Sequence, residues 1–302
     1  MKLYGLPILA ILLLLSLASC SDDAAEENDA DTTDEHVEAM EHEHAGDTPS
    51  ANEVAWLEPA VEVTGEEVTS RTIDPNETPG QEVDGREVRG YLAAPADAGD
   101  KELPAIIVIH EWWGLNDNVR AMTRRLAGEG YRALAVDMYG GEVAETPEDA
   151  GRLAKEARGN QVKALETIEA GIHYLRSLNT SKLGVIGWCF GGGFSLQSAL
   201  TFGEPLDAAV MYYGDVVTDP AQLKGLDIPL LGIFGAEDTG IPVEDVRRMQ
   251  SVLDSLGKEA TIEIYPNAEH AFANPSGDRY NAEAAEDAWR KTDTFLEEKL
   301  GE

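Results

Sequence analysis

Leu183-Gly184-Val185-Ile186-Gly187-Trp188-Cys189-Phe190-Gly191-Gly192-Gly193 is the stretch on which the reading of this chain turns. An apolar run predicts a buried strand, the glycines predict a sharp turn, and Phe194 to Phe202 continues with helical character. Within it, Gly187-Trp188-Cys189-Phe190-Gly191 has the form G-x-nucleophile-x-G, with cysteine where serine is more familiar. Glycine is needed two residues before and after the nucleophile, because side chains there would collide with neighbouring backbone. A helix starting beneath the sulfur favours thiolate over thiol.

A pentapeptide arises by chance, so partners are sought in the chain order nucleophile, acid, histidine. Phe234-Gly235-Ala236-Glu237-Asp238 leaves an apolar strand and sets a carboxylate in the next loop. Tyr265-Pro266-Asn267-Ala268-Glu269-His270 leaves a later strand in the same way. In a parallel sheet these strand ends share one edge, where ligands bind. Cys189 is therefore expected as nucleophile, His270 as base and Asp238 as the group that orients the imidazole.

Working outward, Ala105 to Ile109 reads as a strand buried on both faces, and Asn116 caps a helix that stops at Gly128-Glu129-Gly130. Strands follow at Arg132 to Met138, Leu183 to Gly187, Ala208 to Tyr213, Leu230 to Phe234 and Thr261 to Tyr265. Helical spacing lies between Thr146 and Leu178, over Pro242 to Leu256 and over Tyr280 to Leu300. Before them, Thr64-Gly65 and Asp84-Gly85 read as turns punctuating short β segments. The alternation predicts an α/β protein, a mostly parallel, doubly wound sheet between helices in three layers.

His110-Glu111-Trp112-Trp113-Gly114 follows the first buried strand. It lacks the second histidine of the zinc motif H-E-x-x-H, so no metal or other cofactor is expected. Backbone N–H groups of Trp112 and Phe190 are expected to form an oxyanion hole, and Glu111 to serve as a second acid–base group. Trp113, Tyr139 and Phe272 are candidate pocket walls, with Trp112 and Phe190 beside them. His173 falls inside a helical stretch and is a weaker candidate.

With these residues assembled, the chain resembles the dienelactone hydrolase family of the α/β-hydrolase superfamily over roughly Val83 to Leu300. The matching pieces are Ile107 to Gly114, Ala135 to Gly140, Gly187 to Gly192, Gly235 to Pro242 and His270 to Phe272. The resemblance implies the α/β-hydrolase fold, a Cys189–His270–Asp238 triad and a Glu111 that helps control the resting thiol. It implies hydrolysis of a small carboxylic ester or lactone through an acyl-enzyme. Where the family carries arginines that clamp a substrate carboxylate, this chain holds Gly140-Gly141 and Asn274, with Arg279 nearby as a candidate substrate contact. A non-catalytic binding protein on the same fold and an acyltransferase with the same triad are the competing readings.

The first 20 residues have one early Lys2, an apolar run from Leu6 to Leu17 and small residues before Cys20. This is the layout of a secretory signal, and Leu17-Ala18-Ser19-Cys20 resembles a bacterial lipobox. The expectation is an exported protein, lipid-anchored to the bacterial envelope through Cys20. Residues 21–60 read as an acidic tether and residues 61–302 as the folded domain. Residues 21–55 hold thirteen Asp and Glu and no Lys or Arg, a composition that cannot offset the cost of ordering. His36, His42 and His44 lie there, in a segment too flexible to preform a metal cage. The two cysteines allow no disulfide framework if Cys20 is lipidated. A net charge of −34 repels nucleic acid, so no nucleic-acid partner is expected.

Overall fold

Ala105, Ile106, Ile107, Val108 and Ile109 have no solvent exposure at all, which places this segment between two layers of helices. The computed structural model describes residues 58–71 and 87–301. The signal segment, Cys20, nearly all of the acidic tether with its histidines, and the turn at Asp84-Gly85 lie outside the described residues.

The strands, in chain order, are β1 (Val63–Arg71), β2 (Glu87–Pro95), β3 (Leu103–Ile109), β4 (Arg132–Val136), β5 (Thr180–Trp188), β6 (Ala208–Tyr212), β7 (Leu230–Gly235) and β8 (Ala260–Tyr265). The helices are α1 (Asp117–Gly128), α2 (Pro147–Gly159), α3 (Gln161–Arg176), α4 (Phe190–Phe202), α5 (Pro220–Leu223), α6 (Val243–Ser255) and α7 (Ala282–Leu300). The sheet has the order β1-β2-β4-β3-β5-β6-β7-β8. Strand β2 runs antiparallel to β1 and β4, and all other pairings are parallel. The order reverses around β3, so the connections wind in both directions and helices cover both faces. Helices α1 and α7 share one face, tied by a Trp289 Nε1–H that donates to Glu129 at 2.8 Å, while α3 and α4 pack on the other.

Local chemistry sets the boundaries. Asn116 caps α1 by accepting from the Val119 N–H at 3.1 Å, and Thr146 caps α2 by accepting from Asp149 N–H at 3.2 Å, with Pro147 in the first turn. Strand β4 ends two residues sooner than expected. Asp137 takes the Tyr139 N–H at 3.0 Å and His110 Nε2 takes the Met138 N–H at 3.2 Å, which draws both amides away from the ladder.

Thr64-Gly65 is not a turn, contrary to the reading from sequence. Both residues lie inside β1, and a Cβ at Gly65 would come within 1.9 Å of the Tyr91 hydroxyl crossing from β2. Glycine here makes room for a neighbouring ring rather than breaking a strand.

Candidate active site

The C-terminal ends of β3, β5, β6, β7 and β8 deliver His110 to Trp113, Cys189, Tyr213, Asp238 and His270 to one edge of the sheet. Cys189 sits between β5 and α4 with φ 54° and ψ −121°, a conformation that non-glycine residues rarely adopt. It is held there by its own N–H, which donates to Tyr212 O at 3.0 Å, and by its carbonyl, which accepts from Gly192 N–H at 2.9 Å and Gly193 N–H at 3.2 Å. The flanking glycines are needed for close approach. A Cβ on Gly187 would lie 2.1 Å from Gly191 O, and one on Gly191 would lie 2.3 Å from Ile109 O and 2.6 Å from His110 O.

The loops after β7 and β8 are stitched together, with Ala236 N–H donating to Tyr265 O at 2.9 Å and Glu237 N–H to Ala268 O at 3.0 Å. This brings His270 Nδ1–H to Asp238 Oδ2 at 2.8 Å, both side chains being buried. The other oxygen of Asp238 accepts from Gly240 N–H at 2.9 Å and Ile241 N–H at 2.7 Å, which fixes the carboxylate. Burial opposes a charge on His270, but Asp238 and Cys189 beside it, with the hydrogen bonds that His270 makes to these two groups, prevail. The imidazole is held well above its ordinary range.

Of the other residues expected at the site, Glu111 is buried and accepts from Asn274 Nδ2–H at 2.6 Å. Trp112 and Trp113 are buried in the turn after β3 with their rings 5.3 Å apart. Phe190 begins α4, where helix geometry leaves its N–H no carbonyl partner within the helix. Tyr139 packs edge-on against His110 at 4.7 Å and lies 5.5 Å from Phe190. Phe272 is fully buried between Tyr213 and Tyr265, a position in the packing beneath the histidine loop. Arg279 donates from Nε to His270 O at 3.0 Å, so this guanidinium braces the histidine's backbone. His173 lies in α3, away from the sheet edge.

His110 has both ring nitrogens engaged with backbone. Its Nδ1–H donates to Glu111 O at 2.5 Å while Nε2 accepts from Met138 N–H, which fixes a neutral tautomer. Burial pushes its pKa down to about 4.

Two further groups escape a reading by motif. Arg158, at the end of α2, donates from Nε and Nη2 to Asp215 Oδ2 at 3.3 and 3.1 Å and lies 5.4 Å over the Phe190 ring. Burial works against its charge, yet Asp215, Cys189 and Tyr139 together hold the guanidinium above its usual range. Tyr213 is fully buried, has φ 35° and packs edge-on to His270 at 5.2 Å. Desolvation, then the neighbouring Glu111 and Cys189, keep its phenol well above its usual range and therefore protonated. Among the described residues no cluster of three or more His, Cys, Asp or Glu side chains is arranged to hold a metal ion.

A strained nucleophile-type elbow on β5, an acid after β7 and a histidine after β8, all on one edge of a mostly parallel eight-stranded sheet, define an α/β-hydrolase. The family model for the dienelactone hydrolase family matches residues 88–300. The chain belongs to the dienelactone hydrolase family of carboxylic ester hydrolases. It is 33% identical over 227 residues to Protein usf of Aquifex pyrophilus, covering 72% of this chain and 96% of that one. It is 34% identical over 231 residues to a Synechocystis sp. protein designated a carboxymethylenebutenolidase by inference, covering 71% and 93%. A crystal structure from Klebsiella pneumoniae, designated a dienelactone hydrolase in the same way, superposes with a TM-score of 0.64 at 28% identity over 76% of this chain and 97% of that one.

Proposed function

We propose that this enzyme cleaves a small carboxylic ester or lactone with Cys189 as nucleophile and a thioester acyl-enzyme as intermediate. The observation that carries the reading is the buried Asp238–His270 pair at 2.8 Å on the sheet edge that also carries the strained elbow at Cys189. In this reading a thiolate on Cys189 and an imidazolium on His270 form the reactive pair. The Arg158 guanidinium adds a second positive charge to the same surroundings.

The chemistry follows from that resting state. The Cys189 sulfur attacks the acyl carbon, and negative charge builds on the carbonyl oxygen. The N–H groups of Trp112 and Phe190 are assigned to receive it. As the tetrahedral adduct collapses, the C–O bond to the leaving group breaks and His270 Nε2–H protonates the departing alkoxide. His270 is then neutral and able to accept a proton from water in the second half of the reaction. Asp238 keeps the ring in the tautomer and orientation that both halves require.

Chromogenic esters and lactones, with intact-mass measurement of the protein during turnover, test this. Cys189→Ala should abolish hydrolysis while the circular-dichroism spectrum is retained, and the wild type should carry acyl mass on Cys189. Unchanged hydrolysis by Cys189→Ala would overturn the assignment. We propose in addition that the enzyme is displayed at a bacterial membrane through lipid on Cys20. The full chain should partition with membranes and Cys20→Ser with the soluble fraction.

A further inference from the structure

Beside Glu111 lies a narrow, half-open cavity of about 20 Å³, lined by Glu111, Asn118, Trp188, Tyr213 and Asn274 together with apolar neighbours. Three of these walls carry buried polar atoms with no hydrogen-bonding partner among the described residues, namely Trp188 Nε1, Tyr213 Oη and Asn118 Oδ1. Burying one such group unpaired is costly, and bringing three to one small space marks a place for a polar ligand. The volume decides which ligand. A space of about 20 Å³ exceeds the ~10–15 Å³ that a single water needs, so one water fits it.

Its position gives that water a use. Trp188 is the residue before the nucleophile, Glu111 borders the cavity, and the Tyr213 ring lies 5.2 Å from the His270 ring. Tyr213 is also held in the rare positive-φ region, at 35°, by its N–H donating to Ile233 O at 2.7 Å. A bulky residue kept in such a conformation with its hydroxyl unpaired is a mark of function.

We propose that this cavity seats the water that deacylates the enzyme, with Tyr213, Trp188 and Asn118 as its positioning residues. The assignment rests on the thioester reading above. The indole N–H and the Tyr213 hydroxyl donate to the water oxygen, the Asn118 carbonyl oxygen accepts one water proton, and one of the two donors lets go as the water's lone pair turns to the thioester carbon. In the step itself the water oxygen bonds to the thioester carbon and gives one proton to His270 Nε2. Collapse of the resulting tetrahedral adduct breaks the C–S bond. The sulfur leaves as thiolate beside the newly formed imidazolium, and the product acid loses its proton to solvent.

Tyr213→Phe removes the hydroxyl but keeps the ring against His270 and Phe272, and Trp188→Phe removes the N–H from the opposite wall. Rapid-quench kinetics with a p-nitrophenyl ester separate acylation, read as the first release of nitrophenol, from deacylation, read as the steady state. Each variant should acylate within about twofold of the wild-type rate and turn over about tenfold more slowly, the effect of losing one hydrogen bond. The acyl adduct on Cys189 should accumulate in the mass spectrum, and added hydroxylamine should restore turnover more in the variants than in the wild type. Equal loss in both phases, or no loss in either, would overturn the assignment of this water. Cys189→Ala measured alongside distinguishes the two readings. If it still turns over, the thioester reading fails and the water assignment falls with it, whereas a dead Cys189→Ala beside equal losses in Tyr213→Phe removes the water assignment alone.

Discussion

Asn274 donates from its side-chain amide to Glu111 Oε2 at 2.6 Å, so the carboxylate next to the reaction centre is held by a neutral partner. The same asparagine accepts through Oδ1 from the N–H and hydroxyl of Ser276 at 2.9 and 2.6 Å, which fixes which end of the amide faces Glu111. Asn274→Asp would set two carboxylates in contact, and one of them must then bind a proton in the neutral range. The pH–rate profile should gain an ionisation that the wild type lacks, whereas Asn274→Ala should lower kcat without adding one. Identical pH profiles for the wild type and Asn274→Asp would show that Glu111 does not act on the reaction.

His110 couples stability to acid. Its folded pKa of about 4 lies below the ordinary value of about 6.5, so the unfolded chain binds the proton more readily. Its contribution is complete above pH ~6.5 and is lost as the pH falls towards ~4. With ~1.4 kcal/mol per unit, the loss is about 3 kcal/mol. His110→Gln should be less stable than wild type at pH 7, because two buried hydrogen bonds are disturbed. Its urea midpoint should nevertheless fall less between pH 7 and pH 4.5, and equal falls in both proteins would refute the coupling.

His270 has the opposite sign. Its folded pKa is raised, so the stability gained from its charge is fully present below pH ~6.5 and disappears as the pH climbs through the raised value. Asp238→Asn removes the largest of the contributions that raise it. The stability gap between wild type and Asp238→Asn should be widest near pH 6 and narrow at alkaline pH. Activity should fall on the order of 10³-fold or more, because the imidazole loses its tautomer and orientation together. A gap that widens with pH would contradict a protonated His270.

Much of this site was legible in the chain because two kinds of signal overlap in it. Gly187, Cys189 and Gly191 have the spacing of a strand-turn-helix elbow, and the parallel strands before Asp238 and His270 make both loops end on the same edge. What sequence could not show depends on packing across long separations. Arg158 comes from α2, thirty-one positions before Cys189, and only the pairing with Asp215 sets it over Phe190. Tyr213 follows the apolar run of β6 and looks like one more core residue until its backbone twist and unpaired hydroxyl are seen. Thr64-Gly65 misled because glycine has the same appearance in a turn as at a close crossing of strands. Arg279 suggested a substrate clamp by charge alone, and its Nε is engaged with the His270 carbonyl.

Gly191 gives the sharpest structural test of the elbow. A methyl group there would lie 2.3 Å from Ile109 O and 2.6 Å from His110 O, and the first carbonyl cannot yield because β3 is paired on both sides up to Ile109. The clash therefore falls on the seam between the turn after β3 and the start of α4, which carry the two N–H groups assigned to the oxyanion. Gly191→Ala should cost about 1–3 kcal/mol of stability or more. It should also lower kcat about 10²-fold, as loss of one oxyanion donor does. Gly159→Ala, in the last turn of α2 with nothing within 4 Å of the added atom, is the matched control. It should leave kcat unchanged and stabilise slightly by reducing the freedom of the unfolded chain. If Gly191→Ala kept wild-type kcat, the close packing of the elbow against the end of β3 would have no part in positioning the oxyanion donors.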